Sequence, residues 1–238
     1  ARVRARAGAG AGQAFLVTGG SGFLGAHLVG ELLAAGHAVR VLARSPAPDL
    51  AARGAEVLEG SVTDADAVAA AMAGVDGVFH LAGVVEHSRR APGKLAEASG
   101  RGTAQVLQSA SDAGVRRVVY ASTSGTVAVD RDPDFMGTDA SPYARECVRD
   151  WPYYANKIES EVAGRRQAED LGLDLLVMRP SLLLGPGDSR LSSCRSVLDA
   201  LDGKVPFVPS GGLNFVDVRD AAGAFAAAMS RGRPGASY

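Results

Sequence analysis

The chain is short of three things, and each shortage removes a class of protein. No apolar run approaches the ~20 residues that a membrane-spanning helix needs, so no membrane partner is expected. Cysteine occurs only at Cys147 and Cys194. Two thiols so placed form neither a disulfide framework nor a metal-ligand pattern. They suit a reducing cytosol, and no bound metal is expected. Lysine occurs only at Lys94, Lys157 and Lys204, although Lys and Arg together number 25. The bases are interspersed with 26 acids, for a net charge of −1, so no face is marked for nucleic acid or acidic lipid. The opening ARVRARAGAGAG is basic and rich in Gly and Ala, with no hydrophobic signal-peptide core after it. Residues 1–12 read as a mobile tail, with a transit-like peptide as the alternative. The expected location is cytoplasmic.

What is present is ordinary for a globular α/β protein. With 238 residues, 47% of them hydrophobic and 21% charged, the chain can build one sizeable domain, or one domain and part of a second. Short β-branched runs alternate with Ala-rich helical stretches. Strands are predicted over 14–18, 38–43, 56–58, 78–82, 117–122 and 174–178. Helices are predicted over 23–35, 64–73, 95–113 and 153–171, the last two closed by Gly114 and Gly172. This alternation predicts an α/β fold with a doubly wound parallel sheet. Beyond Pro180 the pattern loosens, with helices at 191–201 and 220–230 and an extended piece at 214–218. Tyr238, after a Gly turn, reads as the start of a further strand, so the C-terminal region reads as cut short. The expected division is a nucleotide-binding domain over 13–185 and a partial substrate-binding region over 186–238.

Two strings carry the chemistry. The first is Thr18-Gly19-Gly20-Ser21-Gly22-Phe23-Leu24-Gly25, lying between the first strand and the first helix. Gly19 permits a tight turn, Gly22 lets backbone approach a pyrophosphate, and Gly25 lets helix pack on strand. Amides of Ser21, Gly22, Phe23 and Leu24 then face the phosphates at a helix N-terminus. The second string is Tyr153-Tyr154-Ala155-Asn156-Lys157. Tyr153 and Lys157 stand four residues apart and share one helix face. A cation beside a phenol lowers a pKa that is ordinarily ~10, which suits proton transfer. The strand over 117–122 delivers Ser122, Thr123 and Ser124 to the end of a parallel sheet where ligands bind. Tyr154 reads as packing, His80 as a packed strand histidine rather than a base, and Asp217 and Asp220 as helix caps.

The glycine spacing G-x-x-G-x-x-G, preceded by Thr18, resembles the nucleotide loop of short-chain dehydrogenases/reductases. Gly22-Phe23-Leu24-Gly25 resembles the extended branch, which holds the NAD-dependent epimerase/dehydratase and dihydroflavonol-reductase-like proteins. Asn156 and Glu161 fit that family's Y-x-x-N/S-K-x-x-x-E string, and Arg179-Pro180 with Gly185-Pro186 its R-P-x-x-x-x-G-P segment. Asn214–Asp220 is similar to its F-V-x-V-x-D segment. The resemblance implies a Rossmann-type sheet with a small C-terminal substrate region and a nicotinamide cofactor. It places Ser61 and Val62 near adenine, with Ser61 departing from the family's acid. It places Leu81, Ala82, Gly83, Ser122 and Pro180 along the cofactor. Ser99 stands where the family has a relay asparagine, so that role is not carried over. Strand two ends Val41-Leu42-Ala43-Arg44 with no acid. A carboxylate there would accept from a ribose 2′-hydroxyl, whereas Arg44 pairs with a 2′-phosphate. NADP(H) is therefore the preferred cofactor and NAD(H) the second choice, with Arg40 a poorer candidate than Arg44.

The implied catalytic set is Tyr153 as proton donor, Lys157 as its tuning cation and ribose contact, and Ser124 as the carbonyl-positioning hydroxyl, with Thr123 as runner-up. The main reading is a ketone or aldehyde reductase acting on a small-molecule carbonyl or alcohol. The alternatives are a sugar-nucleotide epimerase/dehydratase with retained cofactor, and a non-catalytic NADP-binding redox sensor. Specificity is expected in 128–150, around Asp130–Pro133, Tyr143 and Trp151, and in the C-terminal segments. A homodimer paired through the helices near Leu95 and Tyr153 is implied by the resemblance alone.

Overall fold

The computed structural model describes residues 12–83, 97–191, 193–207 and 210–238. Residues 1–11 of the predicted tail (1–12), Lys94 and the predicted helix start at Leu95 lie outside them. Six strands form one parallel sheet: β1 (Ala14–Thr18), β2 (Ala38–Ala43), β3 (Glu56–Glu59), β4 (Gly77–His80), β5 (Arg117–Ala121) and β6 (Asp174–Met178). Their order, β3-β2-β1-β4-β5-β6, is that of a Rossmann-type doubly wound sheet. All of β1 and β4 is buried, because helices cover both faces.

One face carries α1 (Phe23–Ala34), joined by α2 (Pro48–Ala52) at its edge. The other carries α3 (Ala65–Met72), α4 (Gly102–Asp112) and α6 (Pro152–Asp170), with the one-turn α5 (Arg145–Val148) before α6. Leu24, Leu28 and Leu32 of α1 repeat at helical spacing and enter the first core with Phe15, Val17 and Val41. Val68, Val106, Leu107 and Ala168 enter the second with Leu16, Val78 and Val118. Asp64 caps α3 by accepting from the amides of Asp66 and Ala67. Glu97–Arg101 winds as a π-helical turn ahead of α4.

The C-terminal segments are more closely tied to the sheet than the loosened pattern suggests. α7 (Arg195–Leu201) is short and exposed, but α8 (Val218–Arg231), capped by Asp217, buries Val218, Ala222 and Phe225 in the core of α1. β7 (Leu182–Leu184) and β8 (Phe215–Asp217) pair in a small parallel sheet of their own. Ser237 bridges Val177 in parallel, and Arg179 N donates to Tyr238 O at 2.7 Å, so the last residues extend the main sheet beyond β6. No helix among the described residues is long and apolar enough to cross a membrane.

Candidate active site

The strand order reverses between β1 and β4, and the crevice at their C-terminal ends is where such sheets bind ligands. Thr18 of β1 stands in register with His80 of β4. The loop after Thr18 makes the tight, closely packed turn that its glycine spacing predicts. Gly19 sits at φ +73°, and a Cβ on it would come within 2.7 Å of Ala82 N. Gly22 N donates to Gly19 O at 3.0 Å, which closes the turn. A Cβ on Gly25 would collide with that same Gly19 carbonyl. Gly22 caps α1 with no side-chain bond, and the first turn holds no acid. A helix N-terminus left without a capping side chain or an acid suits a diphosphate. Leu81 and Ala82 border this turn, and Gly83 lies within reach of Lys157.

Arg44 is exposed at the end of β2, beside the strand whose Val41 packs on Gly20. Arg40 is committed elsewhere: it donates to Glu56 and to the carbonyls of Ala71 and Ala73. Ser61 Oγ pairs with Thr63 Oγ1 at 2.9 Å in the turn before α3. Val62 packs where a Cβ on Gly102 would sit, so it links that turn to α4.

His80 is buried between two hydroxyls, Thr18 Oγ1 at 2.8 Å and Thr103 Oγ1 at 3.0 Å, and stacks on Tyr120. Burial, reinforced by the Lys157 charge, pushes it down from 6.5 to about 3. It is a neutral, structural histidine. The unfolded chain binds a proton below pH 6.5 that the fold refuses until about pH 3, so stability falls with pH across that window. Between pH 6.5 and 5 this single group should cost about 2 kcal/mol. Urea unfolding at the two pH values checks it, and His80→Gln should flatten the dependence.

Tyr153 and Lys157 lie on one face of α6, as their spacing predicts. Lys157 Nζ donates to Ala121 O at 2.9 Å, at the end of β5, and lies 5.3 Å from the Tyr120 ring centroid. Burial lowers Lys157 to about 8, against the raising effect of Glu161. The expected lowering of the phenol is not found in the protein alone. Burial, with Tyr154 beside it, pushes Tyr153 up to about 12. The reason is geometric: the ammonium is turned to the Ala121 carbonyl and the Tyr120 face. Tyr153 therefore holds its proton at neutral pH, as a donor must.

The hydroxyls after β5 are sorted by their bonds. Ser122 Oγ donates to Glu161 Oε2 at 2.7 Å, so its side chain points into the protein. Thr123 Oγ1 accepts from Gly125 N at 3.3 Å and caps the 3₁₀ turn over Ser124–Thr126. Ser124 is held by its backbone, Ser124 N to Pro180 O at 3.0 Å, and its hydroxyl makes no recorded bond to the described residues. Of the two candidates, Thr123 is thus engaged in a backbone cap. Tyr154 packs on Tyr153 at 5.2 Å and on Trp151 at 5.6 Å, and fills the space that a Cβ on Gly125 would need. Ser99 is buried in the π-helical turn.

The buried glutamate below this group carries a network that sequence reading reduced to one letter of a family string. Glu161 accepts from Ser122, Tyr143, Arg165 and Arg179. Spacing alone, with Tyr153, Lys157 and Glu161 four apart, could have placed it on the site face. A cavity of about 380 Å³ lies nearer the C-terminus, lined by Leu184, Leu191, Val197 and Leu198 with Asp188 and Cys194.

Residues 15–238 match the NAD dependent epimerase/dehydratase family, and the chain belongs to it. It is 35% identical over 226 residues to cinnamoyl-CoA reductase 1 of Oryza sativa subsp. japonica, covering 88% of this chain and 65% of that protein. It is 36% identical over 179 residues to 2-alkyl-3-oxoalkanoate reductase of Stenotrophomonas maltophilia, covering 74% and 52%. Among solved structures, DesIV (dTDP-glucose 4,6-dehydratase) from Streptomyces venezuelae with NAD and TYD bound superposes with a TM-score of 0.79. That match has 29% identity and covers 94% of this chain and 74% of the other. The chain thus spans 65% of the length of the rice protein and 52% of the bacterial reductase.

Proposed function

We propose that this chain carries the cofactor-binding and proton-transfer parts of an NADP(H)-dependent oxidoreductase that reduces a ketone or aldehyde. The observation that supports this reading is Lys157 Nζ at the Ala121 carbonyl that ends β5 and close to Gly83, next to the Ala82 that the Gly19 turn touches, with Tyr153 one turn before it on α6. Gly19, Ser21, Gly22, Phe23 and Leu24 would hold the diphosphate through backbone, and Leu81, Ala82, Gly83 and Pro180 would border the rest of the nucleotide. When bound, the nicotinamide supplies hydride to the carbonyl carbon. Tyr153 gives its proton to the carbonyl oxygen, Ser124 orients that oxygen, and Lys157 holds ribose. Of the two enzyme classes, the reductase is preferred. The reductase names of two relatives agree with this choice.

The preference for NADP(H) rests on Arg44. Its exposed guanidinium has no acid beside it on strand two to favour a ribose 2′-hydroxyl. Arg44→Ala should weaken NADPH binding about tenfold, the value of one charge-assisted contact, and leave NADH binding unchanged. Fluorescence titration with both nucleotides checks it. Equal effects on the two would return Arg44 to a solvated strand end.

The DesIV likeness keeps an epimerase/dehydratase as the second reading. Net NADPH consumption with a simple carbonyl separates the two, because that enzyme type restores its cofactor in every cycle.

A further inference from the structure

Beneath the proposed proton-transfer group lies a side chain that none of its steps uses. Glu161 follows Lys157 by one turn of α6, and its side chain is wholly buried. Its Oε2 accepts from Ser122 Oγ at 2.7 Å and from Arg179 Nε at 3.3 Å. Its Oε1 accepts from Arg179 Nη2 at 2.5 Å, Tyr143 OH at 3.0 Å and Arg165 Nε at 3.3 Å. These donors come from the end of β5, the end of β6, the segment before α5, and α6 itself. Arg179 Nη1 also reaches Asp139 O at 3.3 Å, and Arg165 Nη1 reaches Gly235 O at 2.9 Å. One carboxylate therefore ties the hydroxyl-bearing strand end, the 139–143 segment and the C-terminal residues to the helix that carries Tyr153 and Lys157.

We propose that Glu161 is the positioning residue of the proton-transfer group: it fixes Ser122 and Tyr143 and supplies the negative charge facing the Lys157 ammonium. The role in turnover rests on the reductase reading above. The placement does not. Lys157 is faced by Glu161 from its own helix, by the Tyr120 ring from β5 and by neutral His80 from β4. Glu161 is faced by Arg165, Arg179 and Tyr143. Burial opposes the charge on Glu161, but the Arg179 and Ser122 bonds and the two guanidinium charges hold its carboxyl below the usual range. It is therefore ionised at neutral pH. Removing that charge leaves Lys157 buried and nearer to uncompensated cations, so its ammonium becomes harder to keep.

The scarcity of lysine makes the test clean. Competitive acetylation across pH, read peptide by peptide, gives the midpoint of Lys157, with exposed Lys204 as internal reference. The free protein is labelled, without nucleotide or substrate. Wild-type Lys157 should titrate near 8, and Glu161→Gln should move its midpoint about one pH unit lower. Ser122→Ala removes a bond but keeps the charge, and should leave the midpoint in place. An unmoved midpoint in folded Glu161→Gln overturns the proposal. Should that variant fail to fold, Glu161→Asp decides. It keeps the charge but withdraws the carboxylate from Ser122 and Tyr143, so the midpoint should hold while kcat falls about tenfold. Wild-type kcat in Glu161→Asp would refute the positioning role. A shifted midpoint in a protein that reduces no carbonyl would sink the reductase reading and leave the Glu161 charge effect standing.

Discussion

Replacing Tyr153 by Phe should cut carbonyl reduction by about 10²–10⁴-fold, the usual worth of a positioned general acid. NADPH affinity should stay within about twofold, because the loop that would hold the diphosphate is backbone and lies on β1 and α1. The ring is conserved in this change, so its edge-on packing with Tyr154 at 5.2 Å survives. What is lost is the hydroxyl, and with it the proton it would give. Burial holds that phenol near 12, so wild-type turnover should not fall at neutral pH through loss of the Tyr153 proton. An alkaline decline should instead begin near 8, where Lys157 loses its charge. Steady-state kinetics of both proteins across pH, with NADPH titrations alongside, read every part of this. Unchanged turnover in the variant would remove Tyr153 from the mechanism.

Gly25→Ala should abolish most cofactor binding by moving backbone. The new Cβ would overlap the Gly19 carbonyl and stand 2.7 Å from Gly20 Cα, and neither can rotate away. Gly19 O also accepts from Gly22 N, so pushing it aside opens the turn that aims the α1 amides. An overpacking cost of about 1–3 kcal/mol corresponds to a loss of about 5–150-fold in NADPH affinity if it falls on the loop. Gly223 in α8 is the control, since nothing lies within 4 Å of its added Cβ. Gly223→Ala should be neutral or slightly stabilising. Equal nucleotide affinity in the two variants would show that the cradle does not depend on close approach at Gly25.

The sheet was legible because its signals are local and strong. β1, β2 and β6 match the predicted ranges residue for residue, and α1, α3 and α6 differ by at most one residue at either end. The glycine loop and the Tyr153/Lys157 spacing were equally plain, since each depends on a few residues close in sequence. Short elements escaped. α2 has five residues and β7 three, too few for a periodicity to register. The Glu161 network escaped for a different reason. Its donors at Ser122, Tyr143, Arg165 and Arg179 are gathered by tertiary folding from segments that share no pattern. The direction of the Tyr153 shift also needed coordinates. Spacing places a cation on the same helix face, but only the structure shows that ammonium committed to Ala121 O.

The most direct test of the reductase reading follows the hydrogen itself. The protein is given NADPH deuterated at the transferable nicotinamide position together with a panel of ketones and aldehydes. One deuterium should appear on the former carbonyl carbon of the alcohol for each NADPH consumed, and Tyr153→Phe should suppress that product. Substrate conversion with deuterium returned to the nucleotide and no net NADPH loss would contradict the account.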